Sequence, residues 1–399
     1  MNDISALRAK FPGASRSVYM DTAARGLLSA DSRAAIDAML DDRLYDGGDK
    51  SAMFDLIGRA RERYARLINA EVDEIAYTKN VSEGLNAIVA AFDWRKGDNM
   101  VLCADLEHPN NVFPWRHLAR RAGVEMRIVA PQEGQILAEA LAGAMDGRTR
   151  MVSASSVTFA PGFRMDMAAI GQHCRASGVL FLVDGVQSVG ILATDVAALG
   201  IDAMAVSTQK GLLGLYGMGF LYCRRDWAEQ LTPAYLSRFG VDLGKGVHEA
   251  ALGDGADRLM PAARRFDLGN YNYIGAAAVD ASLAMMLDAG PHRIEAYVTG
   301  LARKLAQGLM DLGLPVCGGV PPDGKGSSIV AVGALGKGQH DSVDDPAMAA
   351  LYGHLTANGV RLSIRRGILR FSLHVNNNAA DIERVIELAR GHNRGKTGN

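Results

Sequence analysis

The sequence of 399 residues lacks the features that mark several large classes of protein. Its 43 basic and 44 acidic residues nearly balance, with a formal net charge of −1, so we expect neither nucleic acid nor an anionic membrane as its main partner. No segment approaches 18 consecutive apolar residues, and the N-terminus has no basic-then-apolar signal peptide. We therefore expect no membrane span and a cytoplasmic location.

Cysteine is also scarce, and the cysteines form no CxxC pair. They are Cys103, Cys174, Cys223 and Cys317. Such spacing is typical of reduced thiols in a cytoplasmic protein, rather than of a disulfide framework or a zinc site. We predict no metal site. The patterns GxGxxG and GxxxxGK[ST] do not follow any apolar run, so a nucleotide-binding α/β protein is not expected.

Short apolar runs alternate with helical stretches in the first two thirds of the chain. The runs are residues 74–78, 99–104, 151–156, 178–183, 202–207 and 219–224. Strands separated by helical crossovers predict an α/β fold with a mainly parallel sheet that helices cover on both faces. Ligands of such sheets bind at the carboxyl ends of the strands.

The last third of the chain has a different order of elements. Two long helical stretches begin near residue 274 and are followed by short strands and a closing helix. We predict a large domain over residues 16–275 and a smaller α+β C-terminal domain over residues 276–399, with residues 1–15 packed against the smaller one.

Polar side chains follow the predicted strands at the edge where ligands bind. They are Ser82, His108, Asp184, Ser207 and Lys210. Asp184 ends an apolar run in LFLVDGVQSVG, and Lys210 follows Ser207 in VSTQKGLLG. A lysine that forms a Schiff base with pyridoxal 5'-phosphate (PLP) needs an acid partner for the pyridine nitrogen, and donors for the phosphate and phenolate. The pair therefore indicates a PLP site.

From VYMDTAARG (18–26) to RFSLHVNNN (370–378), the chain resembles the fold-type I PLP enzymes of aminotransferase class V. This group includes cysteine desulfurases, selenocysteine lyases, kynureninases and isopenicillin-N-epimerase-like proteins. The resemblance implies a seven-stranded-type sheet, PLP as the cofactor, an amino-acid substrate and a homodimer with shared active sites.

The resemblance also implies which side chains hold the cofactor ring. Asp184 would pair with the pyridine nitrogen. A neighbouring carboxylate of this kind raises the pKa of the nitrogen by roughly 1–3 units and so favours the protonated ring. Gln187 would donate a hydrogen bond to the phenolic oxygen, and His108, in DLEHPNN, would stack on the ring. Lys210 would form the Schiff base and act as the catalytic lysine.

The phosphate contacts implied by the resemblance come from three stretches of the chain. Val81 and Ser82 match the turn before a helix, where backbone N–H groups and the helix dipole favour a phosphate. Ser207 and Gln209 flank the lysine, although many relatives have histidine in place of Gln209. Asn270 lies where relatives often have a Gly-Thr that reaches the neighbouring subunit's phosphate.

Substrate binding is assigned to arginine. Arg370 resembles the arginine that holds the substrate α-carboxylate, because a guanidinium matches a carboxylate bidentately. Arg25 lies on the segment that lines the substrate entrance and could receive a side-chain acid group, whereas Arg365 is as consistent with a structural role as with a functional one. Phe159 stands near a position where relatives often have asparagine, which suggests a more apolar pocket.

The chain departs from the desulfurases in one respect that bears on chemistry. Those enzymes need a nucleophilic cysteine shortly before the carboxylate-binding arginine, and residues 355–369 contain none. Cys317 is the nearest cysteine upstream. We therefore favour an aminotransferase, with a C–S or other β-eliminating lyase or an epimerase as alternatives, and a non-catalytic PLP-fold sensor as an alternative of another class.

Overall fold

The computed structural model describes residues 4–397 except 133, 245–247, 249, 254–257 and 337–339. Within these residues the strands are β1 (Val18–Tyr19), β2 (Ile75–Thr78), β3 (Asn99–Leu102), β4 (Glu125–Ile128), β5 (Thr149–Ser155), β6 (Leu180–Asp184), β7 (Ala203–Ser207), β8 (Gly219–Cys223), β9 (Ile329–Val332), β10 (Val360–Arg361), β11 (Ser363–Arg365) and β12 (Ile368–Ser372). The α-helices are α1 (Ala30–Tyr45), α2 (Lys50–Leu67), α3 (Val81–Ala91), α4 (Phe113–Ala122), α5 (Ala138–Gly143), α6 (Met167–Ala176), α7 (Arg225–Ala228), α8 (Tyr273–Ala289), α9 (Pro291–Met310), α10 (Pro346–Ala357) and α11 (Ala379–Thr397).

Seven strands form the main sheet, in the order β2-β8-β7-β6-β5-β3-β4. The neighbours from β7 to β4 are all parallel, whereas β8 runs antiparallel to both β2 and β7. The prediction of an α/β fold with a mainly parallel sheet is thus confirmed. The reversal of β8 follows from its short connection, because residues 208–218 contain no crossover helix.

Helices cover the sheet on both faces, as the alternation along β6 shows. Leu180 and Leu182 are buried in one apolar cluster with residues of α3 and α4. Phe181 and Val183 are buried in the other cluster, with residues of α6. Successive side chains of a strand point to opposite faces, so a strand covered on both faces is apolar throughout. This places its one carboxylate, Asp184, at the end of the strand.

A second sheet lies in the C-terminal part of the chain, in the order β11-β12-β9 with antiparallel neighbours. Near it, β1 pairs with β10, and Asp21 forms an isolated bridge with Ser372. The N-terminal segment therefore runs from this sheet toward the lysine turn. No helix in the described part of the chain is long and apolar enough to cross a membrane.

The N-terminal residues also touch the last helix. Arg8 forms an ion pair with Asp381 of α11, with 2.6 Å between Nη1 and Oδ2. Residues 1–3 and 398–399 of the predicted domains lie outside the described residues. The division of the chain between residues 275 and 276 remains a proposal. The packing of residues 1–15 on the smaller domain is also a proposal, and this ion pair supports it.

Candidate active site

Asp184 is a buried carboxylate at the end of β6. It is 3% exposed, and its Oδ1 accepts a hydrogen bond of 3.0 Å from the backbone N–H of Val186. Burial raises the pKa of this carboxyl, against the opposing effects of the Val186 hydrogen bond and the charge of Lys210. A carboxylate in such a place is stable only beside a positive charge. Asp184 is therefore suited to a cationic ligand atom.

Lys210 follows β7 on the connection to β8 and is half-buried. Burial and the charges of Arg370 and Arg365 together lower the pKa of its amine to about 8, although the charge of Asp184 acts in the opposite direction. Among the described residues, its amine makes no hydrogen bond or ion pair. At pH 7 about a tenth of the amine is then uncharged, far more than for an ordinary lysine, and the uncharged form is the nucleophile.

Two other segments of the chain hydrogen-bond the backbone on either side of Lys210. Gly26 N–H donates to the carbonyl of Gln209 at 2.8 Å, and a Cβ on Gly26 would lie 2.6 Å from the carbonyl oxygen of Lys210. His374 Nε2 lies 2.9 Å from the carbonyl oxygen of Gly211. Because Nδ1 of His374 accepts from Val375 N–H, Nε2 carries the proton and donates.

His374 was not among the predicted site residues. It reaches the lysine turn only in the folded chain, because Gly211 is far from it in sequence. It is fully buried, and burial lowers its pKa to about 4, so the ring is neutral at pH 7. Its contact joins the segment after β12 to the lysine turn. The sequence signal was only its position in the RFSLHVNNN stretch.

The predicted phosphate residues meet where α3 begins beside the end of β7. The backbone N–H of Val81 donates to Ser207 Oγ at 2.7 Å, which leaves the serine O–H free to donate elsewhere. Ser82 lies in the first turn of α3, and Gln209 is half-buried on the lysine turn. An 11-residue helix that begins there adds backbone donors and the positive end of its dipole.

His108 and Gln187 also lie at the edge formed by the strand ends. Burial and the charge of Lys210 together lower the pKa of His108 to about 4, so its ring is neutral at pH 7. The ring meets Phe159 edge to face, with 5.0 Å between centroids. Gln187 Nε2 donates to the carbonyl of Ala23 at 3.1 Å and retains a second N–H.

Glu107 is a second residue that the sequence analysis missed. Its buried carboxyl accepts hydrogen bonds from Ser155 N–H at 2.7 Å, from the Ser155 hydroxyl and from Asn111 Nδ2 at 2.9 Å. Burial raises its pKa to about 7. These bonds fasten the loop that carries His108 to the end of β5. A polar residue directly before His108 was the available signal.

Arg370 lies on β12 and is 1% exposed. Its Nη1 donates to the carbonyl of Phe159 at 3.0 Å and its Nε to Ser363 Oγ at 3.3 Å, while its Cζ lies 5.5 Å from the Phe159 ring centroid. Burial lowers its pKa to about 10, so it remains charged at pH 7. It forms no ion pair with any described residue, so a substrate carboxylate can supply the missing negative charge.

Two predicted residues are exposed at the surface. Arg25 is exposed, and its carbonyl accepts from Tyr19 Oη at 2.7 Å. Asn270 is also exposed, with a positive φ of 44°, and no hydrogen bond between described residues ties it to the phosphate residues. The predicted cofactor residues other than Asn270 lie at or next to the carboxyl ends of the parallel strands, and Arg370 lies on β12 of the second sheet. Within the described residues no group of three or more histidine, cysteine and acidic side chains could hold a metal ion.

Residues 49–385 match the family model of aminotransferase class V. The chain belongs to this family. The class-V enzyme is 36% identical over 247 residues to a probable cysteine desulfurase of Methanothermobacter thermautotrophicus, a match that covers 62% of this chain and only 59% of that relative. An uncharacterized aminotransferase of Schizosaccharomyces pombe is 31% identical over 88% of this chain and 85% of its own length.

The fold of the class-V enzyme also matches solved structures. A variant of C-DES with glycine covalently linked to its PLP cofactor superimposes with a TM-score of 0.83 and 23% identity, over 98% of this chain and 99% of the other. The enzyme is PLP-dependent, and the site fits this cofactor. The site offers a buried carboxylate for the ring nitrogen, a lysine amine that no described residue hydrogen-bonds for the aldehyde, and a helix N-terminus for the phosphate.

Proposed function

We propose that this class-V enzyme is an amino-acid aminotransferase. The observation that supports it is a lysine amine whose pKa is lowered to about 8, in part by the charge of a buried arginine that forms no ion pair with any described residue. Such a pair can hold an amino acid by its carboxylate and move a proton at its α-carbon. The relative named as an aminotransferase, 31% identical over most of both chains, agrees with this choice.

Each side chain then has a defined task. PLP, when bound, withdraws electrons from the bond that breaks at the substrate α-carbon. Asp184 keeps the ring nitrogen protonated, and Val81, Ser82, Ser207 and Gln209 hold the phosphate. His108 covers the ring face as a neutral imidazole, and Gln187 donates to the phenolic oxygen.

Proton transfer and substrate orientation belong to the remaining residues. Arg370 fixes the α-carboxylate, so that the α-hydrogen points at Lys210. The amine of Lys210 would take the proton from the substrate α-carbon and hold it for return one position along. With PLP bound, the substrate amino group would remain on the enzyme, and the substrate would leave as an oxo acid after water takes the place of its nitrogen. In this proposal Arg25 stays at the entrance, where its exposure permits contact with incoming substrate.

A β-eliminating lyase is the second candidate, because relatives are named as cysteine desulfurases and one solved neighbour as a cystine C–S lyase. A desulfurase that forms a persulfide is disfavoured. Cys317 donates its thiol to the carbonyl of Gly333 at 3.2 Å, and burial raises its pKa to about 11. It also lines a cavity of about 790 Å³ beside α6, whose lining includes neither Lys210 nor Arg370.

Separate detection of products tests the choice between the candidates. The purified holoenzyme is incubated with single amino acids, with and without an oxo-acid acceptor, and oxo acid, ammonia, sulfide and the inverted enantiomer are measured. Oxo acid formed only with an acceptor is the expected result. Ammonia and pyruvate without an acceptor would establish the lyase, inversion alone an epimerase, and no product from any amino acid would favour a sensor.

We also propose a cytoplasmic homodimer with shared active sites, without nucleic acid as a partner. The exposed Asn270 is available to a neighbouring subunit. Large exposed apolar side chains on α1 support an interface there, namely Leu40, Leu44 and Tyr45. Sedimentation equilibrium should give twice the chain mass of 42.5 kDa, and a single-chain mass at micromolar concentration would contradict the proposal.

A further inference from the structure

The hairpin of β11 and β12 carries a second arginine beside Arg370. Ser363 lies opposite Arg370 in the register, and Arg365 lies opposite Ile368. Directly opposed residues share one face of an antiparallel pair, and so do alternate residues along a strand. Arg365 and Arg370 therefore project from the same face as diagonal neighbours, which are separated by about 7–8 Å in such sheets.

Arg365 is bound only weakly by the protein itself. Its side chain is 23% exposed, and its Nη1 lies 3.1 Å from Oδ1 of Asp341, whose own side chain is 89% exposed. The same Nη1 donates to the carbonyl of Ile364 at 2.7 Å. An ion pair with so exposed a carboxylate gains little, because water screens it. An anion that enters from the site can displace Asp341.

The charge of Arg365 reaches the reaction site. After burial, it is the largest cause that lowers the pKa of Arg370, and it is among the charges that lower the pKa of Lys210. The half-buried acid Asp21 offsets only part of the effect that Arg365 has on the pKa of Arg370. Burial raises its pKa, and its Oδ1 has no hydrogen-bond partner among the described residues. The substrate end of the site thus has an excess of positive charge.

We propose that Arg365 selects amino acids whose side chain ends in an acid group. Arg370 holds the α-carboxylate, and Arg365 exchanges Asp341 for the side-chain carboxylate or sulfonate. The inference rests on the proposed function only in that an amino acid must bind at Arg370. It assigns to Arg365 the side-chain contact, whereas Arg25 is exposed at the entrance.

Spectral titration of the PLP-loaded enzyme tests this without turnover. The probes are L-aspartate, L-glutamate and L-cysteate, each compared with the neutral L-asparagine or L-glutamine, and the change in visible absorption gives the apparent Kd. The acidic probes should bind at least about tenfold more tightly, as expected for a charged hydrogen bond in a partly buried site. L-cysteate against L-aspartate shows whether a sulfonate or a carboxylate is preferred.

Four variants locate the effect. Arg365→Ala should abolish the acid preference while leaving the Kd for the amides unchanged, which also shows that the variant is folded. Asp341→Asn should tighten binding of the acids alone, because it removes the competing carboxylate. Arg384→Ala, which removes an exposed arginine from α11, is the control for net charge. It should change neither the Kd of the acidic probes nor that of the amides. Arg25→Ala should likewise retain the preference.

The failures are distinguishable. If no amino acid changes the absorption, the proposed function fails and this inference with it. If amino acids bind but acids and amides bind equally, or if Arg365→Ala weakens both alike, only the inference is overturned. Loss of the preference in Arg25→Ala with retention in Arg365→Ala would overturn it as well.

Discussion

At the scale of single residues, the site is governed by charges that the protein buries without full compensation. Asp184 and Lys210 stabilise each other's charged forms, yet burial opposes both. Arg370 is buried with hydrogen bonds to neutral groups only. Ligand groups that complete these pairs therefore bind more tightly than they would to exposed side chains.

The first prediction concerns the pH dependence of cofactor attachment. The pKa of Lys210 is lowered from its ordinary 10.5 to about 8, so the reactive free amine is lost as pH falls through 8. The rate at which apoprotein gains visible absorption on mixing with PLP should rise between pH 7 and 9 and then level off. Asp184→Asn removes the charge that raises this pKa and should move the midpoint lower. A midpoint near 10.5 would contradict the assignment.

A second prediction concerns the shape of the guanidinium at Arg370. Arg370→Lys keeps the charge but loses the planar fork that bonds both the protein and a carboxylate. Amino acids of every kind should bind more weakly by about 1.5–3 kcal/mol, while the visible spectrum of the bound cofactor stays unchanged. Spectral titration measures both the amino-acid affinity and the cofactor spectrum. Arg384→Lys is the matched control, and equal amino-acid affinities in the two variants would refute the proposal that Arg370 binds the α-carboxylate.

At the scale of elements, the turn between β7 and β8 determines where the lysine lies. The third prediction tests how closely the N-terminal segment packs on it. In Gly26→Ala the new Cβ would lie 2.6 Å from the carbonyl oxygen of Lys210, so the turn must move. Gly143→Ala at the end of α5 is the control, because its Cβ would meet nothing within 4 Å.

The expected result is a loss of cofactor affinity in Gly26→Ala without a comparable loss in Gly143→Ala. Removal of PLP by dialysis against a competing amine such as hydroxylamine, followed by PLP titration of the apoprotein with thermal unfolding in parallel, would measure both effects. Small-to-large changes in packed regions commonly cost about 1–3 kcal/mol. Equal PLP affinities in both variants would show that the N-terminal segment can shift to make room for the new Cβ without moving the lysine turn.

Which elements the sequence could predict depends on whether their signal is local. The buried strands β5, β6 and β7 read as apolar runs because both of their faces are covered. Strand β4, with the sequence EMRI, was missed because it lies at the sheet edge and is partly exposed. The direction of β8 could not be read either, since it follows from the length of a loop rather than from the strand's own residues.

The same distinction holds for the site. Lys210 and Asp184 each follow a recognisable run, so their positions at the sheet edge could be predicted. Glu107 and His374 act through contacts with residues more than 40 positions away in sequence, at Ser155 and Gly211. No local pattern encodes such a contact, and only the folded chain brings these groups together.

At the scale of the whole molecule, one buried ion pair joins α2 to the segment before α8. Asp267 is 0% exposed and lies 2.8 Å from Nη2 of Arg61, which is 2% exposed. It also accepts from the backbone N–H of Tyr77 at 2.8 Å and from Arg264 Nε at 3.0 Å. This carboxylate thus connects β2, α2 and the turn that leads to Asn270.

The fourth prediction is that Asp267→Asn destabilises the protein strongly. It preserves shape but leaves the charge of Arg61 buried and unpaired, and breaking a buried pair in this way costs about 3–5 kcal/mol. Asp37→Asn, which breaks an exposed pair with Arg33 on α1, should have little effect. Denaturant unfolding of the apoproteins compares the two. Similar midpoints for both variants would argue against a structural role for Asp267.

The placement of the site on two sheets has a consequence for how this enzyme can acquire new substrates. The groups that we propose to hold the cofactor lie beside the strand ends of the seven-stranded sheet, whereas Arg365 and Arg370 lie on the three-stranded one. A turn of two residues, Arg366 and Gly367, joins their strands. Mutations in this short hairpin can therefore change which substrate side chain is accepted, while the residues around the cofactor stay the same. Transplanting residues 363–370 between relatives is the corresponding route for an engineer.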